Sequence, residues 1–566
     1  MQRFEKQRHA TQGAPASGRG AGFFRSEDGS LIIFGLMIFL LMLIAGGMGV
    51  DFMRYEAHRA RLQATLDRAV LAAASMDQPL DPEAVVLDYF EKAGLGPYID
   101  AADIAVTDTV TSRRVEATAE MTVHSTFLRF SGINSLTAPA AGAAEESASQ
   151  TEISLVLDTS GSMSWSSDSG NSKIYELRRA AKKFVNIVLC DPAYPDRTTP
   201  CTVEAGKVSV SLVPYSEQVL VGETLLNYFT PTNEHHYSSC VTFDGGDFSG
   251  TAITPSETLQ RTGHFDPWTS NSSSAASSRT CKTDDWREIT AVSGSASTLR
   301  GAIDDLGASG NTSIDVAMKW GAAFLDPVAQ PVVTSLVTAG NTDEDYDGRP
   351  LDWTERGVEK VIVLMTDGVN TDQHYLYDGF RSGDTPVYRN LYECGEDDPC
   401  LGDKYSIYDE ENDRYWWDDE DSWEDHAYGA GTYQHCTYRW VREGRRWTKV
   451  ETCNEITEGS GARQLNYVEL WEMKPWTWYD KFSWLDDQGS EHRNSAKNSR
   501  LQSICTAAKN EDIVVFSVGF EVTTSSATVM RNCASSDAHY FNADGTDLAS
   551  AFAAIAREIS KLRLVN

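Results

Sequence analysis

From Leu31 to Val50 the chain runs for 20 residues without a charge, LIIFGLMIFLLMLIAGGMGV. As a helix this stretch would be about 30 Å long, enough to cross a bilayer's hydrocarbon core. Helix formers continue through DFMRYEAHRARLQATLDRAVLAAAS, where Leu62, Leu66, Ala69, Val70 and Ala73 recur at helical spacing. The span is therefore expected to continue outward as one long, half-buried helix. From about Ala102 to Glu146 the period falls to two, as in IAVTDTV and VEATAEMTVHSTFL, which predicts a small sheet. The Ala- and Ser-rich APAAGAAEESASQ, Ala138 to Gln150, reads either as a last strand or as a linker.

Beyond Gln150 short apolar runs alternate with amphipathic ones. EISLVL, KVSVSLV, KVIVLM and DIVVFSVGF read as strands; KIYELRRAAKKFVNIVL, TLRGAIDDL, SIDVAMKWGAAFL and DLASAFAAIAREISKLRL read as helices. The last of these places Leu548, Phe552, Ile555, Ile559 and Leu562 on one face. Continuously apolar strands between such helices predict an α/β domain, a doubly wound, mainly parallel sheet covered on both sides. Over 566 residues this makes at least two domains.

Charge narrows the partners. With 82 acidic against 49 basic side chains the formal net charge is −33, which opposes nucleic acid. The ten cysteines fall as near neighbours, Cys190 and Cys201, Cys240 and Cys281, Cys394 and Cys400, Cys436 and Cys453, Cys505 and Cys533. None of these spacings is a C-x-x-C pattern, so they are read as disulfides of an oxidising compartment, with connectivity left open, rather than as reduced core cysteines. Arg3, Lys6, Arg8, Arg19 and Arg25 flank the span on its short side. That flank is expected to stay in the cytoplasm, giving a single-pass inner-membrane protein whose bulk is periplasmic or extracellular. A cleavable signal peptide fits less well, because the small-residue site near Ala72 to Ala74 lies some 20 residues beyond the apolar run. A prepilin-type cut after Gly22 would leave Phe23 first and Glu27 fifth, but Arg25, Asp28 and Ser30 then stand where a prepilin is apolar. Gly46, Gly47 and Gly49 allow close helix packing or mark a helix end near the interface.

In a parallel sheet ligands bind at the carboxyl ends of strands. Asp158 ends the first strand of the large domain, with Ser160 and Ser162 at alternate positions after it; Asp367 ends another strand in LMTDG; Thr312 opens a helix after GASGN. Two carboxylates and three hydroxyls converging on one edge make an all-oxygen site for a hard divalent cation, Mg, Mn or Ca. The carboxylates would roughly neutralise the ion, and the neutral hydroxyls would leave it acidic enough to take a partner's carboxylate. Ser and Thr after a strand are also ordinary helix caps; the order and placement of all five favour the metal. DEDYDG offers Asp343, Asp345 and Asp347 in the manner of a calcium loop, but the twelfth position is Thr354, with Glu355 one residue late. A second calcium site and a polar turn are its two readings.

DTSGSMS, SGNTS and LMTDG resemble the three motifs of the metal-ion-dependent adhesion site in von Willebrand factor type A domains, with all five positions matched over roughly Glu152 to Leu564. The resemblance implies that Asp158, Ser160, Ser162, Thr312 and Asp367 coordinate the cation. The N-terminal part, RSEDGSLIIFGLMIFLLMLIAGGMGVDFMRYEAHRARLQATLDRAVLAAAS, is similar to the TadE/TadG-like segment of tight-adherence (Flp) pilus assembly proteins, and helix plus small sheet is a pilin-like arrangement. The two together resemble TadG-like proteins. The expected layout is a basic tail, 1–30; a span, 31–50; a TadE/TadG-like helix and sheet, 51–150; and a type A domain, 151–566.

A type A domain needs about 200 residues, so two inserts are expected, at about 215–295 and 370–495. The second holds nine of the fourteen tryptophans and the run YDEENDRYWWDDEDSWEDH. It leaves the chain directly after Asp367, so it either walls the metal, even lending it a carboxylate, or is a solvated acidic face over an aromatic core. The expected function is metal-dependent binding of a protein partner's carboxylate, with pilus or secretion-system components as partners. A free-standing adhesin is the alternative. Catalysis is not expected: G-x-S-x-G is missing, and no histidine stands beside the motifs as a base. Neither a metal-dependent hydrolase nor a cytoplasmic chelatase-type subunit fits as well.

Overall fold

A computed structural model describes residues 28–564 except 76–77, 79, 109–111, 148–149, 192–193, 200, 202, 356, 391–402, 430 and 459–460. The basic tail before Asp28, the Gly22 cleavage position, Cys394 and Cys400 lie outside the described residues. The chain forms two compact units, one of residues up to Glu146 and one from Ser147 onward.

In the first unit, helix α1 (Asp28–Ala74) runs unbroken for 47 residues. Up to Leu43 its apolar side chains are exposed among the described residues: Leu31, Ile32, Phe34, Leu36 and Leu41 are all more than 60% exposed. Leu31–Ala74 is long and apolar enough to cross a membrane. The second half buries Leu62, Leu66, Ala69, Val70 and Ala73 against Val85, Val86 and Phe90 of α2 (Pro82–Lys92) and against a three-stranded sheet. Asp81 caps α2 by accepting from the Glu83 N–H, with Pro82 behind it. The sheet order is β1 (Ile104–Asp108), β2 (Ser112–His124), β3 (Ser135–Ser147). β2 alternates strictly, Val115, Ala117, Ala119, Met121 and Val123 inward, and so covers the helix with one face. The Ala-rich stretch from Ala138 is strand as far as Ser147, with Ala138 and Ala140 buried.

Where the charge-free run ends, α1 is clamped to the loop after β2. Asp51 is 3% exposed, and its Oδ2 accepts the N–H groups of Thr126 (3.0 Å), Phe127 (2.6 Å) and Leu128 (2.8 Å). Of the three glycines only Gly47 is used: a Cβ there would lie 2.3 Å from the Phe127 ring, whereas Gly46 and Gly49 face open space. Replacing Asp51 with alanine strands three donors, at a cost of about 1–3 kcal/mol. Hydrogen exchange by mass spectrometry should then find the amides of 126–128 opening at least about tenfold faster, with the β2 amides unchanged.

The second unit is built on a six-stranded sheet of β4 (Gln150–Asp158), β5 (Val208–Tyr215), β6 (Thr290–Ser293), β7 (Val358–Thr366), β8 (Val514–Phe520) and β9 (Tyr540–Ala543). The spatial order is β9-β8-β7-β4-β5-β6, parallel throughout except for β6. On one face lie α3 (Lys173–Leu189), α4 (Ala296–Asp305) and α9 (Asp547–Leu564), over Ile153, Leu155 and Leu157. On the other lie α5 (Ile314–Ala323), α6 (Gln330–Thr338), α7 (Asn494–Asn510) and α8 (Thr524–Cys533), over Val156, Val213 and Leu364. This is the doubly wound, von Willebrand type A-like sheet expected from the alternating apolar runs. α5 lies close on β4 because residue 321 is glycine; a Cβ there would sit 2.6 Å from Val156 Cγ2.

At the amino end of β4 Glu152 is buried with Lys360 of β7, Nζ to Oε2 2.6 Å, and Lys360 also donates to the Leu325 and Leu351 carbonyls. Among the described residues four disulfides join Cys190 to Cys201, Cys240 to Cys281, Cys436 to Cys453 and Cys505 to Cys533.

The stretch expected as the first insert, 215–295, is not all insert. Its end supplies β6, the antiparallel edge strand, which at four residues is too short to stand out as a periodic run. The second insert is a five-stranded sheet, ordered Ser422–Glu424, Arg414–Trp417, Lys404–Asp409, Asp384–Asn390, Ala462–Asn466, over a core that includes Trp471, Trp476 and Trp478. Phe265 of the first insert belongs to that core and stacks on Trp476 at 5.1 Å. Arg279 pairs with Glu472 at 2.8 Å, so the two inserts form one body.

Candidate metal site

Asp158 is the last residue of β4 and Asp367 the first after β7, so two adjacent parallel strands deliver both carboxylates to one edge of the sheet. Asp158 is fully buried. Its Oδ1 accepts the Ser160 N–H at 2.8 Å, and its Oδ2 accepts the Thr366 hydroxyl at 2.7 Å. Ser160 Oγ lies 3.1 Å from Ser162 Oγ, which donates to Asp367 Oδ1 at 2.7 Å. Asp158, Ser160, Ser162 and Asp367 thus share one polar cluster.

Thr312 reaches the same edge through backbone bonds. The Ser309 N–H donates to the Thr159 carbonyl (3.0 Å) and the Gly161 N–H to the Gly310 carbonyl (2.8 Å). Gly310 turns the loop at φ 93°, a conformation that favours glycine. Thr312 touches none of the other four through a hydrogen bond; its hydroxyl has no hydrogen-bond partner among the described residues, and its N–H donates to Thr371 Oγ1 at 2.8 Å. The fully buried Lys497 holds the loop from behind, donating to the Thr312 carbonyl at 2.9 Å. Burial pulls that ammonium below its usual range, against the opposing charges of Asp315 and Glu217.

Burial, and then the charge of Asp367, push the Asp158 carboxyl up to about 7. Asp367 Oδ2 is buried and accepts no hydrogen bond, although the Lys173 ammonium stands 3.2 Å away, within ion-pair range but poorly aligned. Lys173 also lies 3.7 Å from Glu521 Oε2. Asp367 and Glu521 therefore share one ammonium, and Asp367 Oδ2 and the Thr312 hydroxyl, neither of them hydrogen-bonded among the described residues, can turn to a cation. This donor set fits a hard divalent ion.

Lys173 and Lys497 were not visible as site residues in the sequence, because no spacing ties positions 173 and 497 to 367 and 312. Lys173 opposes any ion held by Asp367. Lys173→Met should tighten divalent binding about three- to tenfold in a calorimetric titration, and Glu521 should tolerate the loss because it also accepts from Ser167, Asp168 and Gly545.

The base of the second insert lies beside the site. The Thr371 N–H donates to the Thr312 carbonyl (3.0 Å), and Asn370 Oδ1 accepts the Ile314 N–H (2.7 Å). Among the described residues no insert carboxylate pairs with the five; Asp372, the nearest in sequence, accepts the Asn494 N–H. Asp343, Asp345 and Asp347 do not bring their ligand atoms within 4.8 Å of one another, and Asp347 Oδ1 is taken by the Thr334 hydroxyl (2.7 Å) and the Gly348 N–H (3.0 Å). One other candidate cluster of ligand atoms occurs among the described residues, Cys436, Glu451 and Cys453. Its sulfurs are already joined to each other, which leaves only Glu451 to hold an ion.

Residues 29–76 match the family model described as putative Flp pilus-assembly TadE/G-like. The N-terminal segment is TadE/G-like. With the type A-like domain in the second unit, this organisation is consistent with a pilus-associated protein. Among solved structures, the von Willebrand domain of the type V pili tip protein Mfa5 from Porphyromonas gingivalis is 12% identical, with 73% of this chain and 96% of that one covered at a TM-score of 0.29. The pilus adhesin SpaC from Lactobacillus rhamnosus GG is 13% identical, with 81% of this chain and 34% of that one covered at 0.27. Proximal thread matrix protein 1 from the mussel byssus, solved with a zinc-occupied MIDAS motif, is 10% identical, with 72% and 46% covered at 0.24. A comparison with curated proteins returned no match.

Proposed function

We propose that this chain is a membrane-anchored, extracytoplasmic binding protein of a Flp-type pilus system, which takes an acidic side chain of a protein partner through a divalent cation held by Asp158, Ser160, Ser162, Thr312 and Asp367. The observation that carries this reading is the pair of buried carboxylates at the ends of β4 and β7, one oxygen of which accepts no hydrogen bond. The bound ion supplies a Lewis-acidic position for a carboxylate. The protein fixes the donors from three separate loops and excludes water from behind them with Tyr215, whose hydroxyl is spent on the Met365 carbonyl at 3.0 Å. The paired inserts, rooted at Asn370 and Thr371, stand where they would select the partner.

The TadE/G-like segment supports membership of a pilus system. The four disulfides support an oxidising location for the bulk of the chain, and the basic tail supports a cytoplasmic N-terminus. The test is a pull-down from the membranes of the native cell with the full-length chain in magnesium, in chelator, and as Thr312→Ala. A partner retained only by wild type in magnesium supports the reading; one retained equally in chelator rules out the metal bridge. Assembly of surface pili in a deletion strain at the wild-type level would favour a free-standing adhesin.

A further inference from the structure

The second insert extends a two-stranded ribbon, Thr432–Glu443 paired with Arg446–Thr457, that no third strand joins among the described residues. Isolated two-stranded hairpins are marginal in water, and this one is stapled at Cys436 and Cys453, which sit opposite each other. Beyond the staple, residues 437–449 are exposed on both faces apart from a half-buried Val441. Tyr438, Trp440 and Trp447 are 54%, 65% and 59% exposed, a concentration of aromatic surface that a soluble ribbon does not need.

The charge of this tip is opposite to that of the chain. Arg439, Arg442, Arg445, Arg446 and Lys449 stand against Glu443 and Glu451, the latter opposite Tyr438, in a protein of net charge −33. No ion pair engages any of these five cations among the described residues; Arg442 donates to the Gly444 carbonyl at 3.1 Å, and Lys449 lies over the Tyr438 ring at 3.4 Å. Register puts Trp440 opposite Lys449 and Arg442 opposite Trp447, so aromatic and cationic side chains share one face.

We propose that this ribbon docks on an anionic phospholipid surface, with Tyr438, Trp440 and Trp447 entering the headgroup layer and the surrounding arginines and Lys449 holding the phosphates. Indole rings favour the membrane–water interface, and each nearby cation adds attraction to anionic lipid. Both strands of the ribbon present exposed indole and cationic side chains together, Trp440 beside Lys449 and Arg442 beside Trp447, a pairing that suits the headgroup layer better than an acidic protein segment. A chain that carries its own span also works beside a bilayer. The proposal is independent of the metal site.

The test reconstitutes the full chain in phosphatidylcholine nanodiscs and floats it with vesicles of pure phosphatidylcholine or with about 30% phosphatidylglycerol, at about 50 mM and about 300 mM salt. Wild type should float at least about tenfold better with anionic vesicles, and less so at the higher salt. Arg445→Gln/Arg446→Gln should lose about fivefold per charge at low salt. Trp440→Ala/Trp447→Ala should lose about tenfold or more at both salts. All three proteins should melt alike, because the substitutions lie on exposed ribbon. Equal flotation with both vesicle types, or variants that float like wild type, would overturn the proposal. So would tight binding to soluble polyglutamate with no binding to anionic vesicles, which would assign the ribbon to an acidic protein.

Discussion

Asp158→Asn should remove the proposed response to divalent cations and leave the ion-free protein at least as stable as its parent. Asparagine keeps an oxygen for the Ser160 N–H, and the Thr366 hydroxyl can turn to accept from the new amide. What the substitution deletes is one of two buried carboxyl groups that repel each other without an ion, a repulsion already expressed in the raised Asp158 pKa. In wild type, magnesium or manganese should raise the melting temperature, because an ion bound only by the folded state stabilises it. In the variant that rise should vanish, with divalent affinity at least about a hundredfold weaker by calorimetry, on the reasoning that losing a direct ligand costs at least what losing its supporting partners does. Equal metal-induced shifts in the two proteins would mean that the cluster is a set of loop-capping hydrogen bonds and nothing more.

Lys360→Ala should destabilise the second unit severely while leaving the metal site alone. It strands Glu152, a buried carboxylate whose remaining contacts are the Leu351 N–H at 2.8 Å and an Arg349 guanidinium at 3.5 Å. Breaking a buried pair from one side costs about 3–5 kcal/mol. The double variant Glu152→Gln/Lys360→Met should recover part of that loss, since the one charge left there, the Arg349 guanidinium, keeps its hydrogen bonds to Ser209, Gln150 and Gly206. Urea unfolding of the full chain in detergent, read by tryptophan fluorescence, gives the three free energies of the cycle. A single-variant cost below about 1 kcal/mol would show that Arg349 alone neutralises Glu152. Glu152 opens β4 while Asp158 ends it, so metal affinity per folded molecule should match wild type.

The sheet and the gathering of Asp158, Ser160, Ser162 and Asp367 at its edge were legible for the same reason. Strand-end chemistry is local, and DTSGSMS or LMTDG announces both the strand and the donors at its carboxyl end. The long helix was legible because its two halves share one period and differ only in what covers them. What escaped depends on contacts between distant positions. Lys173 meets Asp367, Lys497 meets Thr312, and Phe265 meets Trp476 only after folding, and each is an ordinary residue in its own segment. β6 escaped because four residues carry too little pattern. Of the two readings of DEDYDG, the polar turn agrees with Asp347 accepting from Thr334 and Gly348.

The unbroken course of α1 has a mechanical consequence. At 1.5 Å per residue its 47 residues make a rod about 70 Å long, with no proline anywhere in it, and at Gly47 and Asp51 the rod is bolted to the loop after β2. A swivel is not expected between the apolar half and the small sheet. Any twist or tilt imposed on one is delivered to the other undiminished, so the anchor works as a lever rather than a tether.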